Sequence, residues 1–257
     1  MNSLLASFKA CAKQGDIHAG NRAHHQLLLL LLLHDGAAAA APDQDTLCYL
    51  GNSLVSFYAK LGAFEKAQDV MECLQRDVVT WNALMSGYAQ HGCYSAEVLR
   101  CLQVLQSEGH FPNQVTFVCV LKACGSLCAI EKGMQFHREI TIRDSMDAYV
   151  GTTLVDMYAK CGAMAEAQSV FDQLEVRNVV SWTALIAGLV EQNVGDKALI
   201  CFEKMQREGV SPNEVTFTCI LKLCGSIKNI DKGREIHERV VSSGLLAKDI
   251  VLGTALV

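Results

Sequence analysis

Proline is scarce in this chain of 257 residues, with three in all, and runs of β-branched residues are few. A backbone so rarely interrupted favours helix over sheet. No apolar run approaches the roughly 20 residues needed to span a bilayer, so no membrane-spanning helix is expected. No Cys-x-x-Cys pair occurs among the twelve cysteines, which stand at 11, 48, 73, 93, 101, 119, 124, 128, 161, 201, 219 and 224. Several lie in apolar helical patterns, where a free thiol behaves as a small hydrophobe. They point to a reducing compartment, with no metal and no cofactor expected. Also missing are a phosphate loop, a zinc-protease helix motif, a nucleophile elbow and a His-x-Glu…Cys-x-x-Cys deaminase signature. Catalysis has no support, so neither an enzyme nor a small-molecule substrate is expected.

A surplus of positive charge is absent too. Lysine and arginine number 22 against 27 acids, a net charge of −5. That balance excludes a protein that grips nucleic acid by phosphate neutralisation alone. Any such contact must be confined to one face and must use bases as well as backbone. Half the composition is hydrophobic and a fifth charged, which places the chain among soluble folded proteins. Seven leucines, Leu27–Leu33, follow Arg22 and precede Ala37–Ala41, imitating a signal peptide's core and cleavage region. Asp16 and a match to later segments argue against that reading.

What is present is repetition. At a shift of 100, Gly51–Val70 lies over Gly151–Val170 with 11 of 20 positions identical, and Asn113–Gly133 lies over Asn213–Gly233 with 13 of 21. Unrelated segments of this composition match at roughly one or two positions. Val78–Gly87 matches Val179–Gly188 at a shift of 101. The N-terminal stretch joins in: Lys9, Cys11, Ile17, Gly20 and His24 lie over Lys122, Cys124, Ile130, Gly133 and His137, and then over Lys222, Cys224, Ile230, Gly233 and His237.

Each unit reads as two helices. Trp182, Leu185, Ile186 and Leu189 follow i, i+3, i+4, i+7 spacing, as do Trp81, Leu84, Met85 and Tyr88. A second stripe is Ala198, Cys201, Phe202 and Met205, ended by Gly209 with Pro212 just beyond. Ala167, Val170, Phe171 and Leu174 repeat the pattern. A hairpin of about 30–36 residues cannot bury its own apolar faces, so neighbours must stack. The expected fold is all-α: an α-solenoid of helix-turn-helix repeats, forming one domain over 1–257.

These residues resemble the pentatricopeptide repeat family, in its plant form that cycles through long, short and standard-length repeats. The carriers are YAKCGAMAEAQSVFDQL (158–174), VVSWTALIAGLVEQN (179–193), FEKMQREGVSPNEVTF (202–217) and LKACGSLCAIEKGMQFH (121–137). The resemblance implies a right-handed superhelix. It divides the chain into a degenerate long repeat 1–47 holding the Leu/Ala insertion, short 48–77, standard 78–113, long 114–147, short 148–178, standard 179–213 and long 214–249. An incomplete short repeat, 250–257, marks the chain as a fragment or truncated before any C-terminal extension.

The resemblance also implies single-stranded RNA as partner, about one base per repeat, with editing or processing factors as further partners and a mitochondrion or chloroplast as location. The chain itself carries no clear presequence. Two side chains per repeat are expected at the groove: Asn52 with Asp77, Asn82 with Asn113, Thr152 with Asn178, and Thr183 with Asn213. An ionised Asp only accepts, so it suits a base whose ring nitrogen carries a proton. Asn offers an NH₂ to the bare ring nitrogen of adenine or cytosine. In the family, Thr on the first helix goes with purine and Asn with pyrimidine. The expected register is 5′-U-C-n-A-A-3′, the second base C or U, and the unread base falls on the long repeat where Val118 offers no hydrogen bond.

Plainer readings stand beside these. Asn and Thr near helix starts also serve as caps. Trp81 and Trp182 lead apolar stripes, so core packing outweighs base stacking. His24, His137 and His237 read as structural, and Cys124 with Cys128 lacks a second pair for a metal. Lys122 and Lys222 suit either phosphate or solvent. Besides RNA binding, a protein-interaction scaffold and a non-functional remnant remain open, and the potential of the inner face separates the first two.

Overall fold

The computed structural model describes residues 18, 21–22, 24–26, 44–74 and 76–242. The leucine and alanine runs, the early repeat positions Lys9, Cys11, Ile17 and Gly20, and the stretch from Ile250 lie outside them. Among the described residues, twelve helices follow one another from residue 44 onward and no strand occurs. They are α1 (Gln44–Lys60), α2 (Phe64–Glu72), α3 (Val78–Gln90), α4 (Ser95–Ser107), α5 (Gln114–Ser126), α6 (Ile130–Ile142), α7 (Ala148–Lys160), α8 (Met164–Gln173), α9 (Val179–Glu191), α10 (Gly195–Arg207), α11 (Glu214–Ser226) and α12 (Ile230–Ser242). The chain divides into two compact units, 1–123 and 124–257.

In each unit, odd-numbered first helices line up and even-numbered second helices fold back on them. α1 packs along α3 in the first unit, and α7 packs along α9 and α9 along α11 in the second. This is the stacking of helical hairpins that defines an α-solenoid. The expected stripes are buried: Trp81, Leu84, Met85 and Tyr88 on α3, and Trp182, Leu185, Ile186 and Leu189 on α9. Leu174 departs from its stripe. α8 ends at Gln173, and Leu174 is its half-buried C-cap in extended backbone.

The turns show why the hairpins are so tight. Gly62 and Gly162 take φ +73° and +77°, which lets Ala63 N and Ala163 N reach back to Tyr58 O and Tyr158 O, each at 2.9 Å. That left-handed C-terminal turn is open to glycine without a Cβ penalty. A second kind of glycine sets helix spacing. A Cβ on Gly87 would clash with Ala59, and one on Gly188 would stand 2.8 Å from the Ala159 Cβ. The first helices approach one another closely because these positions lack a side chain.

Candidate nucleic-acid interface

The first helices from α3 onward open on polar caps. Asp77 Oδ1 accepts from Thr80 N at 2.7 Å, Asn113 Oδ1 from Thr116 N at 3.1 Å, and Asn213 Oδ1 from Thr216 N at 2.9 Å. Asn178 Oδ1 accepts from Val180 N and Ser181 N at 2.9 and 3.0 Å. Asp147 caps α7 in the same way, 2.7 Å from Val150 N. Each cap satisfies amides that the helix start leaves without partners.

Capping also fixes chemical polarity. With the amide oxygen held by the helix, Asn113, Asn178 and Asn213 keep their NH₂ as the remaining polar edge, a donor. Asp77 keeps a second carboxylate oxygen, an acceptor. Asn113 and Asn178 are exposed, while Asp77 and Asn213 are half-buried. Burial opposes ionisation of Asp77, but bonds from the Thr80 amide and hydroxyl, the Val79 amide and the Asn52 side chain outweigh it. The carboxyl is held below its ordinary value, so it is ionised at neutral pH.

The other four residues implied by the resemblance lie on the first helices. Asn52 is half-buried. Asn82, Thr152 and Thr183 are only 6%, 5% and 8% exposed, so a base would meet the cap residues' outer edges before these side chains. Hydrogen bonds bring three of the four pairs together. Asn82 Nδ2 donates to Asn113 Oδ1 at 2.9 Å. Thr80 Oγ1 lies 2.7 Å from Asn52 Oδ1 and 2.8 Å from Asp77 Oδ1. Thr183 Oγ1 is 2.6 Å from Thr216 Oγ1, which lies 2.8 Å from Asn213 Oδ1. Thr152 and Asn178 are not joined this way: Thr152 Oγ1 donates to Ala148 O, and Ser181 Oγ donates to Asn178 O.

Beside the caps runs a feature that the sequence reading missed. Val79 and Val115 in the first unit, and Tyr149, Val180 and Val215 in the second, each stand two residues past a cap and are 50–60% exposed. Tyr49 on α1, equivalent to Tyr149, is 51% exposed. A β-branched or aromatic side chain held in solvent beside a hydrogen-bonding edge suits the flat face of a base. The signal was present in doublets such as Val78-Val79 and Val179-Val180, since one helix face cannot bury both.

Within the first helices themselves, acids and bases balance. The six first helices carry four acids (Asp45, Asp156, Glu191, Glu214) and four bases (Lys60, Lys122, Lys160, Lys222). Acids exceed bases on the second helices, and the caps Asp77 and Asp147 add two acids beside the first helices. Trp81 and Trp182 are 6% and 1% exposed, so both are core residues. His137 Nδ1 lies 2.9 Å from Tyr158 OH, and burial lowers its pKa. Among the described residues, no His, Cys, Asp and Glu cluster suits a metal, and no helix is long and apolar enough to cross a membrane.

Stacked hairpins with caps at matching places define a helical repeat protein. A model of the PPR repeat family matches residues 76–126 and 177–226, and a PPR repeat model matches 52–77, 152–179 and 215–245. Together they cover more than half of the chain, which belongs to the pentatricopeptide repeat family.

Relatives in Arabidopsis thaliana agree. A putative pentatricopeptide repeat-containing protein is 41% identical over 197 residues, 75% of this chain and 28% of its own length. One named chloroplastic is 31% identical over 258 residues, covering 99% of this chain and 39% of its own. One named mitochondrial is 38% identical over 198 residues, 76% and 31% respectively. The chain thus spans well under half the length of these relatives. The crystal structure of the pentatricopeptide repeat protein PPR10 from maize matches with a TM-score of 0.62 at 17% identity, over 98% of this chain and 38% of that one. The PPR domain of Arabidopsis thaliana protein-only RNase P 1, in complex with tRNA, matches with a TM-score of 0.50 at 17% identity, over 65% and 88%. Both share the fold.

Proposed function

We propose that this chain binds single-stranded RNA base by base along its first helices, as a non-enzymatic module serving editing or processing of RNA in a mitochondrion or chloroplast. The observation that carries the proposal is a recurrent pair of features: the outer edge of a capping Asn or Asp, and an exposed Val or Tyr two residues further on. The first supplies a donor or acceptor to a base edge and the second an apolar surface to its face. The even balance of charge within the first helices, to which only the caps Asp77 and Asp147 add acid, supports this reading over a uniformly acidic docking surface. The tRNA complex of the protein-only RNase P domain and the organellar names of two relatives support it from outside.

Asp77 then accepts from the ring N–H of uracil, and Asn113, Asn178 and Asn213 donate to bare ring nitrogens. The register is 5′-U-C-n-A-A-3′, with Asn52, Asn82, Thr152 and Thr183 setting the size of base admitted. Fluorescence titration with this RNA, and with a version carrying uracil at both adenines, tests it. The first should bind more tightly by roughly tenfold, as expected for two mismatched hydrogen-bond edges. Equal binding would remove base reading.

A further inference from the structure

We infer that a threonine three residues after the cap, represented by Thr80, Thr116 and Thr216, is a positioning residue for base reading. This rests on the RNA-reading function proposed above. These hydroxyls are buried, with residue exposures of 1%, 0% and 0%, and each reaches two helices at once. Around Thr116 the bonds close a ring. Its hydroxyl donates to Asn82 Oδ1 at 2.7 Å, its amide donates to Asn113 Oδ1, and Asn82 Nδ2 donates to the same Asn113 oxygen. Both amides are thereby oriented, and the NH₂ of Asn113 is left as the edge presented outward. Thr80 occupies the same place between Asn52 and Asp77, and Thr216 between Thr183 and Asn213.

Capping alone does not call for this threonine. α7 has Val150 at the equivalent place and is still capped by Asp147. What the hydroxyl adds is a bond to the preceding first helix, which fixes one reading residue against the other. Ser181 fills the corresponding place in α9 but turns to Asn178 O at 2.9 Å, leaving Thr152 and Asn178 unlinked. Discrimination is therefore strict at bases read by the three linked pairs and looser at the base read by Asn178.

The test compares wild type, Thr116→Val and Thr116→Ser on 5′-U-C-n-A-A-3′ and on the same RNA with guanine as second base. The readout is the ratio of the two affinities, because general loosening of the fold weakens both alike. Thr116→Val should lower that ratio by roughly threefold to tenfold, the worth of one hydrogen bond. The ratios at the uracil and adenine positions should be unchanged, and Thr116→Ser should restore the lost discrimination. Circular dichroism monitors folding. If Thr116→Val does not fold, Thr216→Val, read at the last adenine against uracil, decides in its place. An unchanged ratio in a folded valine variant overturns the positioning role alone. A wild-type ratio of one at every position overturns base reading, and this role with it.

Discussion

Two tryptophans at the same place in their repeats have different surroundings. In the first unit, Trp81 Nε1 donates to Glu108 Oε2 at 2.8 Å, while Arg76 holds the other carboxylate oxygen at 2.8 Å. In the second unit, Trp182 Nε1 is buried with no hydrogen-bond partner. The equivalent Glu208 stands 3.6 Å from Arg177, whose guanidinium donates to Phe171 O and Asp172 O instead. The neighbours explain the difference. Phe171, where the first unit has Met71, meets Trp182 edge-on at 4.6 Å and lies under Arg177 at 5.1 Å. Lys204, where the first unit has Val104, places its ammonium 5.9 Å from the Trp182 ring. In the first unit a cleft of about 310 Å³ is lined by Met71, Arg76, Trp81, Tyr88 and Val104. A repeat conserves a residue's place, and its neighbours decide what that residue bonds to.

The largest effect that sharpens this comparison comes from Trp81→Phe set against Trp182→Phe. Both lose indole volume, but only the first loses a bond to a carboxylate, and the second removes a buried donor that has no partner. Trp81→Phe should be the more destabilising by about 1–2 kcal/mol in urea unfolding. Equal losses would mean that Glu208 reaches Trp182 in solution.

A smaller effect separates the acid cap from the amide caps. Asn caps about as well as Asp, so Asp77→Asn should change stability at neutral pH by less than about 0.5 kcal/mol. The folded-state pKa of Asp77 is depressed. Its contribution is therefore complete above the ordinary carboxylate range, near 4, and is lost as pH falls through the lower folded value. Between pH 5 and pH 2 (approximate limits), the wild type should lose more stability than Asp77→Asn, as read by urea midpoints. Parallel losses would place the acid sensitivity elsewhere.

Much of this was legible in the sequence. Spacing at i, i+3 and i+4 located the buried faces of α3 and α9, and Gly209 located the end of α10. The caps were legible as well, since Asn or Asp ahead of an apolar run is a helix-start signal. The burial of Asn82 and Thr183 was not. It depends on how closely neighbouring first helices approach, which Gly87 and Gly188 set through space. The linkage by Thr116, and its failure at Ser181, likewise depends on side-chain reach between helices 28–34 residues apart in sequence. Periodicity within one helix carries no such information.

Base preference at the first position measures the central claim most directly. Wild type and Asp77→Asn are titrated with 5′-U-C-n-A-A-3′ and with the same RNA beginning in cytosine. Replacing an acceptor edge by a donor edge on an otherwise equivalent cap should reverse the ranking, with uracil favoured by the wild type and cytosine by the variant. The same ranking in both proteins would contradict the account, because the cap's outer edge would then not be what touches the base.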